Sequence, residues 1–357
     1  MYCDLKESLR WQTPMPEAKA LARNLESNAD RRYRRFLDDG DRVTPAERAR
    51  LSRAADALPP AALTQCQSSP QGIFAASRMC EREEAIAYFD GAFAAAAIEE
   101  GLEAEHMGGT IWSAKGDRSY RQHGLGSGNW RREYSAPVLD GYLPVDTRCP
   151  ATQGTLPGIE SRTEAVETED EDRLFALLTT AHSLIERGSP LTRRFLEDFA
   201  RVIVVRNSAT DEGFQSAGAR VTAGRMVMIN PLGADGKPEL ITDGLVHESI
   251  HCAIDHCEFV EPILTVIATD VTIDSPWTGK RLDLNTFIHA SFVWYGLVHF
   301  WTIANEKAGQ TTAGAREMLA TARKGFLAVH PSVLIAPHVA LLNPEVVQAV
   351  GEMRLPG

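Results

Sequence analysis

The stretch DGLVHESIH, residues 243–251, places two histidines four positions apart in an otherwise largely apolar sequence. On an α-helix, residues at this spacing lie about 40° apart around the axis and about 6 Å apart along it, so both imidazoles can bind one ion. The pattern His-Glu-x-x-His is typical of metalloenzymes, although so short a pattern also occurs at random. It predicts a metal-binding helix from about residue 239, with His247 and His251 as ligands. Two hydrogen-bonded structural histidines are the alternative.

The glutamate within the motif, Glu248, is the candidate catalytic residue, and two roles are open to it. In a zinc hydrolase, a glutamate at this position is the base that activates metal-bound water. In other metal chemistry, it lies behind the ligands and orients them. The motif alone does not distinguish these roles.

The third metal ligand is not fixed by the motif. A metzincin requires glycine at position 254 and histidine at position 257, whereas this chain has Ile254 and Cys257, so that class is excluded. His289 opens an apolar, aromatic helix and is either a ligand or a hydrogen-bonded core histidine. His299 lies about 15 Å further along that helix and is not expected to share the ion. Glu258, Glu261, Asp270, Asp274 and Asp283 are carboxylates in the right stretch, but none lies in a persuasive helical motif. Asp255 continues the helix face of the two histidines, yet three successive ligands on one helix rarely bind one ion.

Composition limits the class of protein. The chain has 357 residues, 44% of them hydrophobic, and a formal net charge of −11. These values are ordinary for a globular protein with a large core, and the acidic balance argues against nucleic acid or an anionic membrane as a main partner. The N-terminus lacks the pattern of a signal peptide, and the six cysteines show no Cys-x-x-Cys. We therefore expect a cytoplasmic protein.

Local signals along the chain predict an α+β fold that is predominantly helical. Residues 44–47 form a capping box that opens a helix reaching about residue 58. Residues 201–206 and 225–230 are β-branched or apolar and predict short strands, the second of which could offer an edge for an extended peptide. Residues 124–128 are glycine-rich but lack the ending of a phosphate-binding loop, so we expect a plain loop.

Three parts of the chain are expected. Residues 1–143 would form a helical N-terminal lobe, with a possible role in substrate recognition. Residues 144–170 mix proline, glycine, threonine and acidic residues without periodicity, which predicts a linker or mobile loop. Residues 171–357 would form the metal-binding catalytic lobe, with a few short strands.

Three segments together resemble one family, the HExxH-motif peptide-modification proteins. Its members are described as 2-oxoglutarate-dependent peptide β-hydroxylases of ribosomal peptide natural product pathways. The resemblance covers about residues 200–305, and its most specific part is the Ser-Pro-Trp…Arg…His pattern. The matching segments are residues 216–231 (SAGARVTAGRMVMINP), 245–251 (LVHESIH) and 275–301 (SPWTGKRLDLNTFIHASFVWYGLVHFW).

The resemblance implies a site and a reaction. His247, His251 and His289 would bind Fe(II), and Arg281 would pair with a carboxylate of 2-oxoglutarate, a role that suits the planar fork of arginine. The enzyme would use molecular oxygen to hydroxylate a carbon, the β-carbon in that family, of a peptide or amino-acid-derived substrate. Iron is implied by the resemblance alone, because three histidines also suit zinc.

Two other classes remain open. A zinc metallopeptidase would use Glu248 as its general base, and a carboxylate as third ligand would favour it, whereas His289 as third ligand favours the oxygenase. A non-catalytic protein with a structural zinc would instead close the site with four protein ligands.

Overall fold

The computed structural model describes residues 1–104, 106, 109–123, 129–153, 162–208, 213–233, 237–267, 269–307 and 312–356. Thirteen α-helices and a few short strands in small sheets make up this part of the chain, which confirms the predominantly helical α+β fold. The predicted loop at residues 124–128 lies outside the described residues.

Six helices precede the first strand. The capping box predicted at Thr44 is present, because the Thr44 hydroxyl accepts from the Glu47 amide and the Glu47 carboxylate accepts from the Thr44 amide. It opens the third helix at Pro45, as expected. The helices are α1 (Tyr2–Ser8), α2 (Ala18–Asp38), α3 (Pro45–Asp56), α4 (Pro60–Ser68), α5 (Pro70–Ala75) and α6 (Arg82–Glu99).

A small antiparallel sheet follows, which sequence analysis did not identify. It contains β1 (Thr110–Trp112), β2 (Arg118–Gln122) and β3 (Trp130–Ser135), in that order. These strands are short and rich in charged residues, so they lack the alternation of apolar and polar residues that marks a half-buried strand.

The larger sheet lies beneath the predicted metal-binding helix. Its order is β4-β5-β7-β9-β8, with β6 also paired to β7, and β5, β7 and β9 run parallel. The strands predicted near residues 201–206 and 225–230 are confirmed as β7 and β9. The strands are β4 (Val138–Leu139), β5 (Leu143–Asp146), β6 (Thr163–Glu164), β7 (Val202–Ser208), β8 (Gln215–Ala217) and β9 (Arg225–Ile229).

The structure differs from two expectations in this part of the chain. Strand β9 is paired on both sides, with β7 and β8, so it offers no edge for a peptide. The linker expected from residue 144 begins inside β5, where Val145 and Asp146 are fully buried. Strand β5 is only four residues long, and such a strand is too short to show periodicity in sequence.

Seven helices and a hairpin complete the fold. The hairpin pairs β10 (Thr272–Asp274) with β11 (Arg281–Asp283). Helix α9 packs against α7, α8 and α10 and against strand β9, so it is enclosed on most sides. The helices are α7 (Glu171–Gly188), α8 (Pro190–Phe199), α9 (Pro238–Glu258), α10 (Leu284–Lys307), α11 (Ala313–Ala328), α12 (Pro331–Ile335) and α13 (Pro344–Gly351).

The hydrophobic core around α9 draws on both ends of the chain. Tyr2, Leu5 and Leu9 are buried in the same cluster as the apolar residues of α9 and α10. A separate cluster, from Tyr33 to Tyr120, lies among α2, α3, α6 and the small sheet. The first residues, which the expected boundaries assign to the N-terminal lobe, therefore pack with the second half of the chain.

Helix α10 is also the apolar helix most like a membrane span. Within the described residues, the segment 284–306 is long and apolar enough to cross a membrane, but most of it is buried inside the protein. A helix buried in this way is typical of the core of a soluble protein. Two helical segments joined by a bend, Ala313–Ala328 and Pro331–Leu341, are long and apolar enough to cross a membrane only when they are taken together.

Candidate metal centre

Helix α9 carries both histidines of the motif, as the sequence predicts. The imidazole rings of His247 and His251 lie with their centroids 5.0 Å apart, as expected for neighbouring turns of one helix face. The His247 side chain is 27% exposed, whereas its helix is otherwise largely buried. Both histidines are therefore partly exposed, on a helix that is otherwise largely enclosed by the core.

Helix α10 brings a third histidine to this pair. The Nδ1 atoms of His251 and His289 lie 3.1 Å apart, and the two rings are stacked. Nitrogen ligands bound at 2.0–2.1 Å in tetrahedral geometry would be separated by about 3.3 Å. The observed separation therefore suits either a hydrogen bond or two nitrogens facing one ion.

A carboxylate lies on the other side of the His289 ring. The Nε2 atom of His289 lies 3.0 Å from Oε2 of Glu258, and the other oxygen of Glu258 accepts from Arg220 at 3.0 Å and from Asn285 at 3.3 Å. Histidines that bind metals usually donate their second ring N–H to a carboxylate, which fixes the tautomer and the ring orientation. Glu258 lies where such a carboxylate would lie, next to Nε2 of His289.

The protonation of the three histidines differs. Burial lowers the pKa of His247 to about 4 and that of His251 well below its usual range, so both rings are neutral at pH 7 and keep the lone pairs that a metal needs. Burial also opposes charge on His289, but the hydrogen bond to Glu258 and the charges of Glu258 and Asp255 together outweigh it and raise the pKa of His289. Burial works against a charged Glu258 as well, and His289 and Arg220 reverse it, so the pKa of Glu258 is lowered.

The tightest group of ligand atoms is not the predicted trio. In the described part of the chain, Asp255, Glu258 and His289 are the group of three whose ligand atoms all lie within 4.8 Å of one another. The ligand atoms of the predicted trio, His247, His251 and His289, are not all within 4.8 Å of one another, although His251 contacts His289. The imidazole of His289 therefore stands between a histidine side, at Nδ1, and a carboxylate side, at Nε2.

Glu248 is buried directly behind the motif histidines. It is 1% exposed, and neither carboxylate oxygen has a partner in hydrogen-bonding geometry among the described residues. Burial raises its pKa to about 8, while the nearby hydroxyl of Ser216 in β8 acts in the opposite direction. A Cβ atom added at Gly218 would lie 3.0 Å from Oε2 of Glu248, so the loop passes close to the carboxyl group.

An aromatic stack borders the centre on the side of His247. The Trp294 ring lies edge-on to His247, at 6.2 Å between centroids, and stacks on Trp277 at 5.9 Å with 11° between the planes. Trp277 is fixed by α11, because its indole N–H donates to the Ala322 carbonyl and its ring lies where a Cβ on Gly325 would stand. The tryptophan of the Ser-Pro-Trp segment thus supports the residue beside His247.

The other candidates for the third ligand are engaged elsewhere. Glu261 accepts from Asn343, the exposed Asp283 accepts from the amide and hydroxyl of Thr286, and Nε2 of His299 lies 3.2 Å from the Arg354 carbonyl oxygen. Asp270 and Asp274 are exposed.

Arg281 is exposed on strand β11, where its Nε donates to the Thr272 hydroxyl at 2.7 Å. The cation that lies beside the centre is Arg220, which pairs with Glu258. Sequence analysis did not single out Arg220, although it stands within the matched segment at residues 216–231. No local signal separates it from Arg225 in that segment.

Comparisons with known proteins give no family for this chain. No family model matches it, and no curated protein matches it.

The residues present fit a metal ion. The centre offers two neutral imidazoles, a third imidazole backed by a carboxylate, and a second buried carboxylate, Glu248, close to the Ser216 hydroxyl. Neither oxygen of Glu248 forms a well-aligned hydrogen bond among the described residues, and a bound ion or the water on it would supply a partner. Nitrogen and oxygen donors of this kind suit zinc and iron alike.

Proposed function

We propose that the protein is a metal-dependent enzyme whose centre is built on His247, His251 and His289. The observation that carries this proposal is the contact between His251 and His289, with Glu258 behind it. The alternatives Glu261 and Asp283 are engaged elsewhere, so a histidine is the best candidate for the third ligand from outside α9. Asp255 and Glu258, both on α9, are the carboxylates close enough to add to the set.

A histidine as third ligand favours an oxygenase over a peptidase. We therefore propose an Fe(II)- and 2-oxoglutarate-dependent hydroxylase that acts on a carbon, the β-carbon by the family resemblance, of a peptide or amino-acid-derived substrate in natural product biosynthesis. Iron in such a site, with oxygen and 2-oxoglutarate, supplies the oxidation of an unactivated C–H bond. The enzyme would work in the cytoplasm.

In this proposal, each residue has a separate task. His247 and His251 stay neutral and bind the ion, and Glu258 orients His289. The stack of Trp277 and Trp294 borders the centre beside His247. Arg281 is the carboxylate anchor that the family resemblance implies, and Arg220 is the cation that contacts the centre itself.

The test is anaerobic reconstitution with Fe(II), followed by exposure to air with 2-oxoglutarate. We expect succinate to form, even without the substrate, and we expect His251→Ala to abolish it. The same measurement on zinc-loaded protein is the control for metal identity. Succinate formation that does not depend on iron, or none in an iron-loaded folded protein, would refute the oxygenase proposal.

One observation favours a second candidate, a zinc metallopeptidase. Glu248 holds the position of the general base, is buried, and has a pKa of about 8, so it can exchange a proton near neutral pH. In that case the zinc-loaded protein should cleave peptides, and Glu248→Gln should abolish cleavage while leaving zinc content unchanged.

A further inference from the structure

A cleft of about 510 Å³ lies between α2, α4, the turn before β2 and the start of β7. None of the residues that line it belongs to the histidine centre. Its volume falls within the range of pockets that bind small molecules. The polar residues that line it include Glu26, Thr64, Ser68, Ser69, Lys115 and Arg201.

Two cations face this cleft without an acidic partner. Within the described residues, neither Lys115 nor Arg201 has a carboxylate within 4.0 Å, and the Nε atom of Arg201 is buried without a hydrogen-bond partner. The two charges also repel each other: burial lowers the pKa of Lys115, the charge of Asp117 opposes this, and the charge of Arg201 lowers the pKa again. In a chain with a net charge of −11, two unpaired cations at one cavity stand out.

The nearest acidic groups are already engaged. Asp117 accepts from the hydroxyl of Ser113 and lies 3.6 Å from Arg118, and Glu99 pairs with Arg118 and accepts from Tyr120. Glu26 lines the cleft but forms no ion pair in the described part of the protein. Among the described residues, no ion pair therefore balances the positive charge at Lys115 and Arg201.

We propose that this cleft binds an oxyanion group, a phosphate or a carboxylate, of a small molecule through Lys115 and Arg201. Lysine supplies a compact charge with three donors, and arginine supplies a planar fork that suits two oxygens of one group. Thr64 places a hydroxyl at the same cavity, and its side chain forms no other hydrogen bond among the described residues. The site is separate from the histidine centre and does not depend on the metal.

The experiment measures binding of inorganic phosphate and of citrate by calorimetry at constant ionic strength, using the full chain. Lys115→Met removes the charge and keeps the aliphatic stem, and Arg201→Met does the same for the second cation. Lys324→Met is the matched control, because Lys324 is exposed on α11. Circular dichroism shows whether each variant is folded.

We expect saturable binding of at least one probe that weakens about tenfold or more in Lys115→Met and in Arg201→Met, and is unchanged in Lys324→Met. Lys115→Arg, which keeps the charge, should retain most of the affinity. Binding of phosphate but not citrate would assign the group to a phosphate ester, and the reverse would assign it to a carboxylate. No saturable binding of either probe, or equal binding by all the folded variants, would overturn the proposal.

Discussion

The Nδ1 atoms of His251 and His289 lie 3.1 Å apart, although 38 positions separate these residues in the chain. The contact joins α9 to α10, and it exists because the two helices pack closely. At Gly296, a Cβ atom would lie 2.6 Å from Cδ1 of Ile250, so a larger residue there would force the Ile250 side chain to move. The proposed metal centre therefore rests on the packing of two buried helices.

Loss of either motif histidine should abolish stoichiometric metal binding. Each would supply one of few bonds to the ion, so His247→Ala and His251→Ala should show no bound iron or zinc by elemental analysis. His123→Ala is the control, because His123 is exposed and outside the centre. Full metal content in either motif variant, with the fold intact, would contradict the assignment of the ligands.

Glu258 is expected to act through His289. Glu258→Gln removes the charge behind the imidazole while keeping the size of the side chain, so metal affinity should fall about 10- to 100-fold. Glu261→Gln is the matched control, because the exposed Glu261 side chain accepts from Asn343, away from the three histidines. Competition with a chelator of known affinity measures the metal affinity of both variants. A complete loss of the ion would show instead that Glu258 is itself a ligand, and no change would remove its orienting role.

The anchor of 2-oxoglutarate can be found by comparing two arginines. A bidentate pair with a carboxylate contributes about 1.5–3 kcal/mol, so removing the anchor should weaken 2-oxoglutarate binding about 10- to 150-fold. The family resemblance predicts this loss for Arg281→Ala, with incomplete rescue by Arg281→Lys. Calorimetry on the metal-loaded protein measures the affinity for 2-oxoglutarate in each variant. A loss in Arg220→Ala, with no change in Arg281→Ala, would transfer the role to the arginine that contacts Glu258.

Asp243 should make the stability of the protein depend on pH. Burial raises its pKa to about 6, against the opposing hydrogen bond from the Trp301 indole, whereas in the unfolded chain the value is about 3.9. Between these values the folded state keeps a proton that the unfolded state releases. The free energy of unfolding therefore falls as the pH rises from about 4 to 6.

Asp243→Asn tests this, because its amide oxygen can still accept from Trp301. Urea unfolding of both proteins at several pH values should show the wild type losing about 1–3 kcal/mol relative to the variant across this window, and no further change above it. Parallel curves for the two proteins from pH 4 to 7 would show that Asp243 titrates normally.

The sequence by itself determined the local features of the protein. The boundaries of α3, α9 and α10, the strands β7 and β9, and the placement of His247 and His251 on one helix face all follow from capping, periodicity and short-range hydrogen bonding. These signals operate over a few residues, so a single sequence contains them. Strand β5 escaped prediction because it is only four residues long, and β1 to β3 escaped it because they lack the alternation of apolar and polar residues that marks a half-buried strand.

Only the tertiary structure decided which distant residues meet. It placed His289 and Glu258 together, put Asp255 within reach, left Arg281 exposed on a hairpin, and brought Arg220 to the centre instead. It also placed Lys115 and Arg201, which are far apart in sequence, at one cleft. Such contacts depend on how helices and strands pack across the core, and packing is set by the shapes of many side chains at once, which no local pattern records.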